Sequence, residues 1–581
     1  MAPPAKRWHH RYLERELKTM VTRRAFVSGS LNAVAATGLS APALAAGAKS
    51  VGGRTVEVAY INAKVWTGAG PDVRSDAIGV AGGHIVAIGR DAVRAQSGPR
   101  TRVVDLGGAF VTPGLVDCHT HFTIGSLALS QPSLRDAPTP EAFVAKIAEA
   151  ARALPKGEWL EGGNWDQDRW GGTLPTRQWI DAVTPDTPVA VIRYDLHMIL
   201  CNSLALKLAG IDRNTPDVPG GVIVRDARGE PTGIVKDAAK DLVLRAIAQP
   251  SAARLDAAVR AGIAHGLSKG VTEVHVPDLD WSTYEITHRL RTQGETNMRF
   301  YQFTPLKDWE RMAGIVAQEG RGDDWVRWGA CKVVFDGSLG SRTALMYLPY
   351  LDESGAQGIV VTDPKDLKAW MAGADKAGLQ VTAHAIGDEA NDIVLDTMAA
   401  VTTMNGKRDR RFRIEHAQHL REESIGRFAK QGVIASMQPY HAIDDGRWAV
   451  RRIGPERLRT SFAVGSVVRS GAHVCFGSDW PVAPLDPLTG LYAAVMRETI
   501  DGKNPKGWYP EQRITLAQAL RGYTREAAYA GKAEHLRGVI MPGMQADFAV
   551  FDRDLFAIDP ETLEQAKVLR TVVGGKERFT A

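Results

Sequence analysis

The chain has little cysteine, no long apolar run and, once its first segment is set aside, no excess charge of either sign. Its 581 residues include only Cys118, Cys201, Cys331 and Cys475, too few for a disulfide framework in a chain of this length. Three of them lie in apolar, strand-like runs and read as buried thiols. No stretch of eighteen consecutive apolar residues occurs, so no membrane span is expected after the N-terminal segment. The formal charge is +5, but residues 1–45 hold seven basic and two acidic side chains, and the remainder has 64 of each. Nucleic-acid binding needs a basic surface, and the remainder has no such excess.

The first segment has its own signature. "TRRAFVSGSLNAVAATGLSAPALAAGA" combines Arg23 and Arg24, a mildly apolar stretch and small residues around Ala43 and Ala45. It resembles a twin-arginine export signal cleaved near Ala45, with Met20 as an alternative start. The twin-arginine export machinery is then an expected partner, and the periplasm, or another compartment reached in the folded state, the expected location.

With 44% apolar and 24% charged residues, the chain is globular and long enough for two or three units. Residues 55–112 alternate β-rich runs with glycine turns, and residues 535–581 repeat that texture, so the two ends are expected to form one composite β-sandwich. Between them, residues 113–534 alternate apolar runs with helical segments, the pattern of a parallel sheet with crossover helices. Eight strands can be numbered, near 114–119, 271–276, 298–303, 330–335, 379–384, 411–416, 433–437 and 473–478. The expected fold is α/β, a TIM-like (β/α)8 barrel whose active site lies at the C-terminal strand ends. Residues 125–255 fit no repeat and read as an insertion over the barrel mouth.

Ionisable residues gather at those strand ends. In "GLVDCHTH", His119 and His121 share one side of the first strand, as two imidazoles facing one metal ion would. "ACKVVFDG" adds Lys332, "VTAHAIGD" His384, "FRIEHAQ" His416 and "VCFGSDWP" Asp479. Each alone is an ordinary strand-end residue; burying four histidines, a lysine and an aspartate together is costly without a purpose.

The set "DCHTH", "CKVVFDGSLGSR", "TAHAIGD", "IEHAQ" and "FGSDWPV", with "PGMQADFAVFD" near the end, resembles the amidohydrolase superfamily. The narrower likeness is to the amidohydrolase family 3 branch that includes N-substituted formamide deformylases. The resemblance implies a binuclear site with zinc as the expected metal: His119, His121 and Asp479 on one ion, His384 and His416 on the other. Lys332, carboxylated by carbon dioxide, would bridge them. Cys331 is adjacent, but only one of the pair can face inward, and Asp336 shares the parity of Lys332. Two dications would bring the pKa of a shared water from ~15.7 toward ~7, and Asp479 would serve as general acid and base.

The expected reaction is metal-assisted hydrolysis of a C–N bond in a small-molecule amide, N-formyl or N-acyl substrate. A metal-dependent esterase or lactonase on the same site, and an inactive scaffold-like relative, are the rival readings. "RYDLH" aligns Arg193, Asp195 and His197, the last as a donor to the substrate, with an insertion-core hydrogen-bond network as the equal alternative. "MQPYHAIDDGRW" offers His441 and Trp448. Asp336 and Trp480 complete the expected substrate lining, and a homodimer is the expected assembly.

Overall fold

The computed structural model describes residues 54–70 and 74–581; the segment read as an export signal lies outside them. At its centre eight parallel strands run in strict chain order: Leu115–Asp117, Val271–Pro277, Arg299–Pro305, Val326–Val334, Gln380–Ala385, Arg413–His416, Ile434–Met437 and Val474–Phe476. The first and last meet through backbone bonds, Cys118 N–H to Phe476 O at 2.9 Å and Asp479 N–H to His119 O at 2.7 Å. All eight expected strands are present, in a (β/α)8 barrel.

Alternation along these strands sorts two environments. The outward residues, among them Val274, Val276, Phe300, Val333, Val381, Ile414 and Phe476, are buried under the helices in the largest apolar core. The inward residues are not the branched aliphatics that usually fill such a barrel. Glu273, His275, Lys332, Thr382, Arg413, Glu415 and Ser436 are all buried there. Arg413 ties this interior together: its guanidinium reaches Glu415 (2.9 Å), Ser436 Oγ (2.9 Å), Cys118 O (2.8 Å) and His275 Nδ1 (3.1 Å). All four cysteines are buried free thiols.

Strands from both chain ends share one six-stranded sheet, in which Phe110–Pro113 pairs with Phe548–Phe551. A four-stranded sheet formed from Val56–Ile61, Ile78–Ala81, His84–Ile88 and Ser97–Asp105 faces it across Tyr60, Val65, Ile85, Val111, Phe548 and Val572.

Between helix Phe122–Ala128 and the first crossover helix, Ala252–Ser268, the chain builds a separate five-stranded sheet with its own core of Phe143, Trp165, Ile180, Met198 and Leu200. Buried ion pairs join this insertion to the segment after the seventh barrel strand. Arg135 pairs with Asp444, Asp166 with Arg447 (2.9 Å) and Asp168 with Arg452 (3.3 Å), while Asp168 also holds Arg193 within the insertion (3.3 Å). The tryptophans of "GGNWDQDRWGG" pack inward on Phe143, whereas its two aspartates make the contacts to the barrel. The loop therefore anchors the insertion on the barrel.

Candidate functional site

The barrel mouth brings His119, His121, His384, His416 and Asp479 together. Ring centroids are 5.5 Å apart for His119 and His121, 4.8 Å for His119 and His416, and 4.5 Å for His384 and His416. Asp479 Oδ1 lies 3.2 Å from His121 Nε2 and 3.4 Å from His119 Nε2. Two of these residues hold left-handed backbone, His416 at φ 73° and Asp479 at φ 61°. That conformation costs energy in a residue with a Cβ, and such strain gathers at functional sites.

Each imidazole is oriented by a partner on its far edge. His119 Nδ1 donates to Glu415 (2.6 Å), His121 Nδ1 to Asp278 (3.2 Å) and His416 Nδ1 to Gln438 Oε1 (2.9 Å). His384 is reversed, with Nε2 donating to Gly337 O (3.1 Å). For His119, His384 and His416 the ring nitrogen left over carries the lone pair, the arrangement seen when an outer carboxylate, amide or carbonyl fixes a ligating histidine. Burial pushes His384 and His416 well below the usual imidazole range. Burial and the charge of Lys332 take His119 to about 4. These three rings are neutral, as a metal ligand must be. Burial also opposes charge on His121, but bonds to Asp278 and Asp479 raise it to about 9.

His119, His416 and Asp479 each offer one ligand atom, all within 4.8 Å of one another. His119 Nε2 and Asp479 Oδ1 are buried without a hydrogen-bond partner among the described residues, which normally costs free energy. Lone pairs from neutral imidazoles and an ionised carboxylate, left without donors, suit a divalent cation of the zinc type. Burial raises the Asp479 carboxyl, but His119 and His121 outweigh it and keep the group ionised. Lys332 is buried beneath, and desolvation brings its amine to about 8 despite the nearby Glu415 and Asp479 charges. Cys331 faces the helix layer instead.

The other expected residues divide. His441 stands at the mouth, stacked 6.3 Å from His416 with Nε2 3.9 Å from Asp479. His197 also reaches the site, 5.4 Å from His384 by ring centroid. The remaining five residues expected around the substrate each have partners of their own. Arg193 is fully buried and engaged by Gln167, Asp168 and Asp195. Asp195 accepts from Ser338, Ser341 and the His197 amide. Asp336 accepts the backbone N–H groups of Leu345, Ile386 and Gly387. Trp448 lies under the guanidinium groups of Arg193 and Arg452, and Trp480 packs on Phe122 and His265. These five hold the loops around the site in place.

Glu415, Asp278 and Gln438 were not anticipated. Alternation should turn Glu415 away if its neighbour His416 faces inward, but the strand's regular backbone ends at Glu415. The left-handed φ of His416 then swings the next side chain to the same side.

Known proteins agree with this construction. The amidohydrolase family matches residues 102–579. Protein LONG AFTER FAR-RED 3 of Arabidopsis thaliana is 37% identical over 91% of this chain and 92% of its own. The putative amidohydrolase YtcJ of Bacillus subtilis is 34% identical over 82% and 90%, and the N-substituted formamide deformylase of Arthrobacter pascens 29% over 90% and 98%. Among solved structures, an uncharacterized metal-dependent hydrolase from Pyrococcus horikoshii aligns with a TM-score of 0.70 at 26% identity, covering 87% of this chain and 99% of that one. The chain belongs to the amidohydrolase family.

Proposed function

We propose that this protein hydrolyses a C–N bond beside a carbonyl, in an amide, N-formyl or N-acyl small molecule. The observation that carries the reading is the set of outward-fixed imidazole nitrogens converging with the ionised Asp479. His119, His121, His384, His416 and Asp479 would hold divalent metal, with zinc expected and Lys332 as a carbamate between two ions. When bound, such metal supplies Lewis-acid polarisation of the carbonyl and a hydroxide nucleophile near neutral pH. The chain's own residues do the rest. Asp479 takes a proton at its carboxylate and returns it to the leaving nitrogen, a transfer that amide cleavage needs and ester cleavage needs far less. His441 and His197 flank the centre from opposite loops, His441 to donate to the substrate carbonyl and His197 to accept a hydrogen bond or proton at Nε2. The name of the N-substituted formamide deformylase relative supports the same bond type.

The tightest donor set draws His416 in with His119 and Asp479, which favours a one-ion form of the same reading. Elemental analysis separates them: two equivalents per chain support the carbamate-bridged pair, one supports the single ion, and none after metal-replete expression overturns both. Matched amide and ester substrates of equal leaving-group pKa decide the bond. Faster amide turnover is expected, and faster ester turnover would replace the amidase with an esterase or lactonase.

Metal loading has a pH signature. Carbon dioxide reacts only with the neutral Lys332 amine, which is the minority form below about 8. An ion on His121 must displace a proton held up to about 9. Both requirements make metal uptake by stripped protein strengthen as pH rises from ~6 to ~9, with bicarbonate aiding it. Isothermal titration across that range checks this, and a pH-independent affinity would be incompatible with it.

A further inference from the structure

The insertion contributes more than cover. His197 stands between two of its strands, Ala190–Arg193 and Met198–Cys201, and its Nδ1 lies 2.6 Å from Asp237 Oδ1, at the end of the insertion strand Pro231–Asp237. A carboxylate can only accept, so Nδ1 carries the proton and Nε2 is the atom left for a ligand. The ring is 17% exposed and its centroid is 5.4 Å from that of His384, whereas Asp237 is 4% exposed.

The backbone around the pair is held with unusual care. The Asp237 amide donates to His197 O (2.8 Å), the His197 amide to Asp195 (3.1 Å), and Lys240 Nζ to Leu196 O. Leu196 and Asp237 both adopt left-handed backbone, at φ 63° and 48°, a conformation that persists in such residues only where the surroundings impose it. Asp195 in turn is bonded by Ser338 (2.6 Å) and Ser341 (3.0 Å), on the loop that follows the Lys332 strand. This chain of contacts fixes an insertion-borne imidazole against the barrel's own histidines.

We propose that Asp237 is a positioning residue that acts through His197, holding Nε2 toward the scissile group of the substrate. The inference rests on the hydrolase reading above but on neither the number nor the identity of the metal ions. It makes the insertion part of the reacting site: any substrate must satisfy a donor or acceptor at Nε2 on the insertion side and the carboxylate of Asp479 on the barrel side.

A double-mutant cycle tests it on whichever of the matched amide and ester the parent turns over. His197→Ala is expected to lower kcat by about 100-fold, the lower end of what a positioned proton-accepting group supplies. Asp237→Ala is expected to lower kcat by about tenfold, as loss of a histidine's outer partner does, with metal content and KM near the parent. Asp237→Asn, which keeps an oxygen acceptor for Nδ1–H, should recover most of that loss. In the His197→Ala background, Asp237→Ala should cost nothing further, because groups that act as a unit are non-additive. Equal losses in both backgrounds, or parental kcat in either single variant, would overturn the proposal while leaving the hydrolase reading intact. If Asp237→Ala does not fold, Asp237→Asn completes the cycle, with a few-fold loss expected only when His197 is present. A metal-loaded parent that cleaves neither bond overturns both.

Discussion

Asp479→Asn is expected to retain metal and lose turnover by about 10³-fold, the range that general acid–base catalysis spans. The amide keeps one oxygen in place of the carboxylate and preserves the volume at a position where Asp479 is buried and its backbone sits at φ 61°. It cannot take a proton and return it to a leaving nitrogen. Because Asp479 Oδ1 lies within 3.4 Å of Nε2 on both His119 and His121, some loss of metal affinity accompanies the change. Elemental analysis at saturating zinc therefore has to be run beside the kinetics. Metal retained with parental kcat would remove Asp479 from proton transfer. The ester of a matched pair should suffer less than the amide, since an alkoxide with a low pKa departs without help.

Glu415→Ala is expected to have the largest structural effect of any single change near the site. Burial pushes this carboxyl up, but Arg413 and His119 together hold it well below the usual carboxylate range, so it is ionised at every working pH. Both Glu415 and Arg413 are wholly buried. Removing one partner leaves the other charge without compensation in the interior, a loss on the order of 3–5 kcal/mol. It also frees His119 Nδ1, and outer partners of this kind are worth about 10–100-fold in metal affinity. Denaturant unfolding of stripped protein and zinc titration of the folded protein measure the two effects separately. Glu415→Gln should fall between, because its amide oxygen can still accept from His119. An unfolding midpoint and zinc affinity both equal to the parent's would show that Arg413 finds another counter-charge and that His119 is fixed without Glu415.

The comparison of sequence and structure is instructive at these two positions. Asp479, like His119 and His384, could be picked out because it stands within or just past the C-terminal end of a barrel strand and no packing role explains an ionisable residue there. The eight strands were legible for a related reason: their outward faces carry β-branched and aromatic residues with turn residues at both ends. Glu415 was hidden. Its partner His119 is 296 residues away, and the alternation that locates inward residues fails at the left-handed His416. Arg193, Asp336, Trp448 and Trp480 were ambiguous for the opposite reason. Polar and aromatic residues at a barrel mouth suit substrate contact and loop anchoring equally well, and the difference lies in partners contributed by other loops. Arg193, for instance, meets Asp168 from 25 residues upstream.

The ion pairs joining the insertion to the segment after the seventh strand bear on how the insertion can move. Arg135–Asp444, Asp166–Arg447 and Asp168–Arg452 all combine carboxylates that are almost wholly buried with guanidinium groups at most 17% exposed. Swinging the insertion aside on a hinge would part several such pairs at once, each separation costing several kcal/mol. Opening the insertion on a hinge would therefore be a rare and costly excursion beside local side-chain and loop motion.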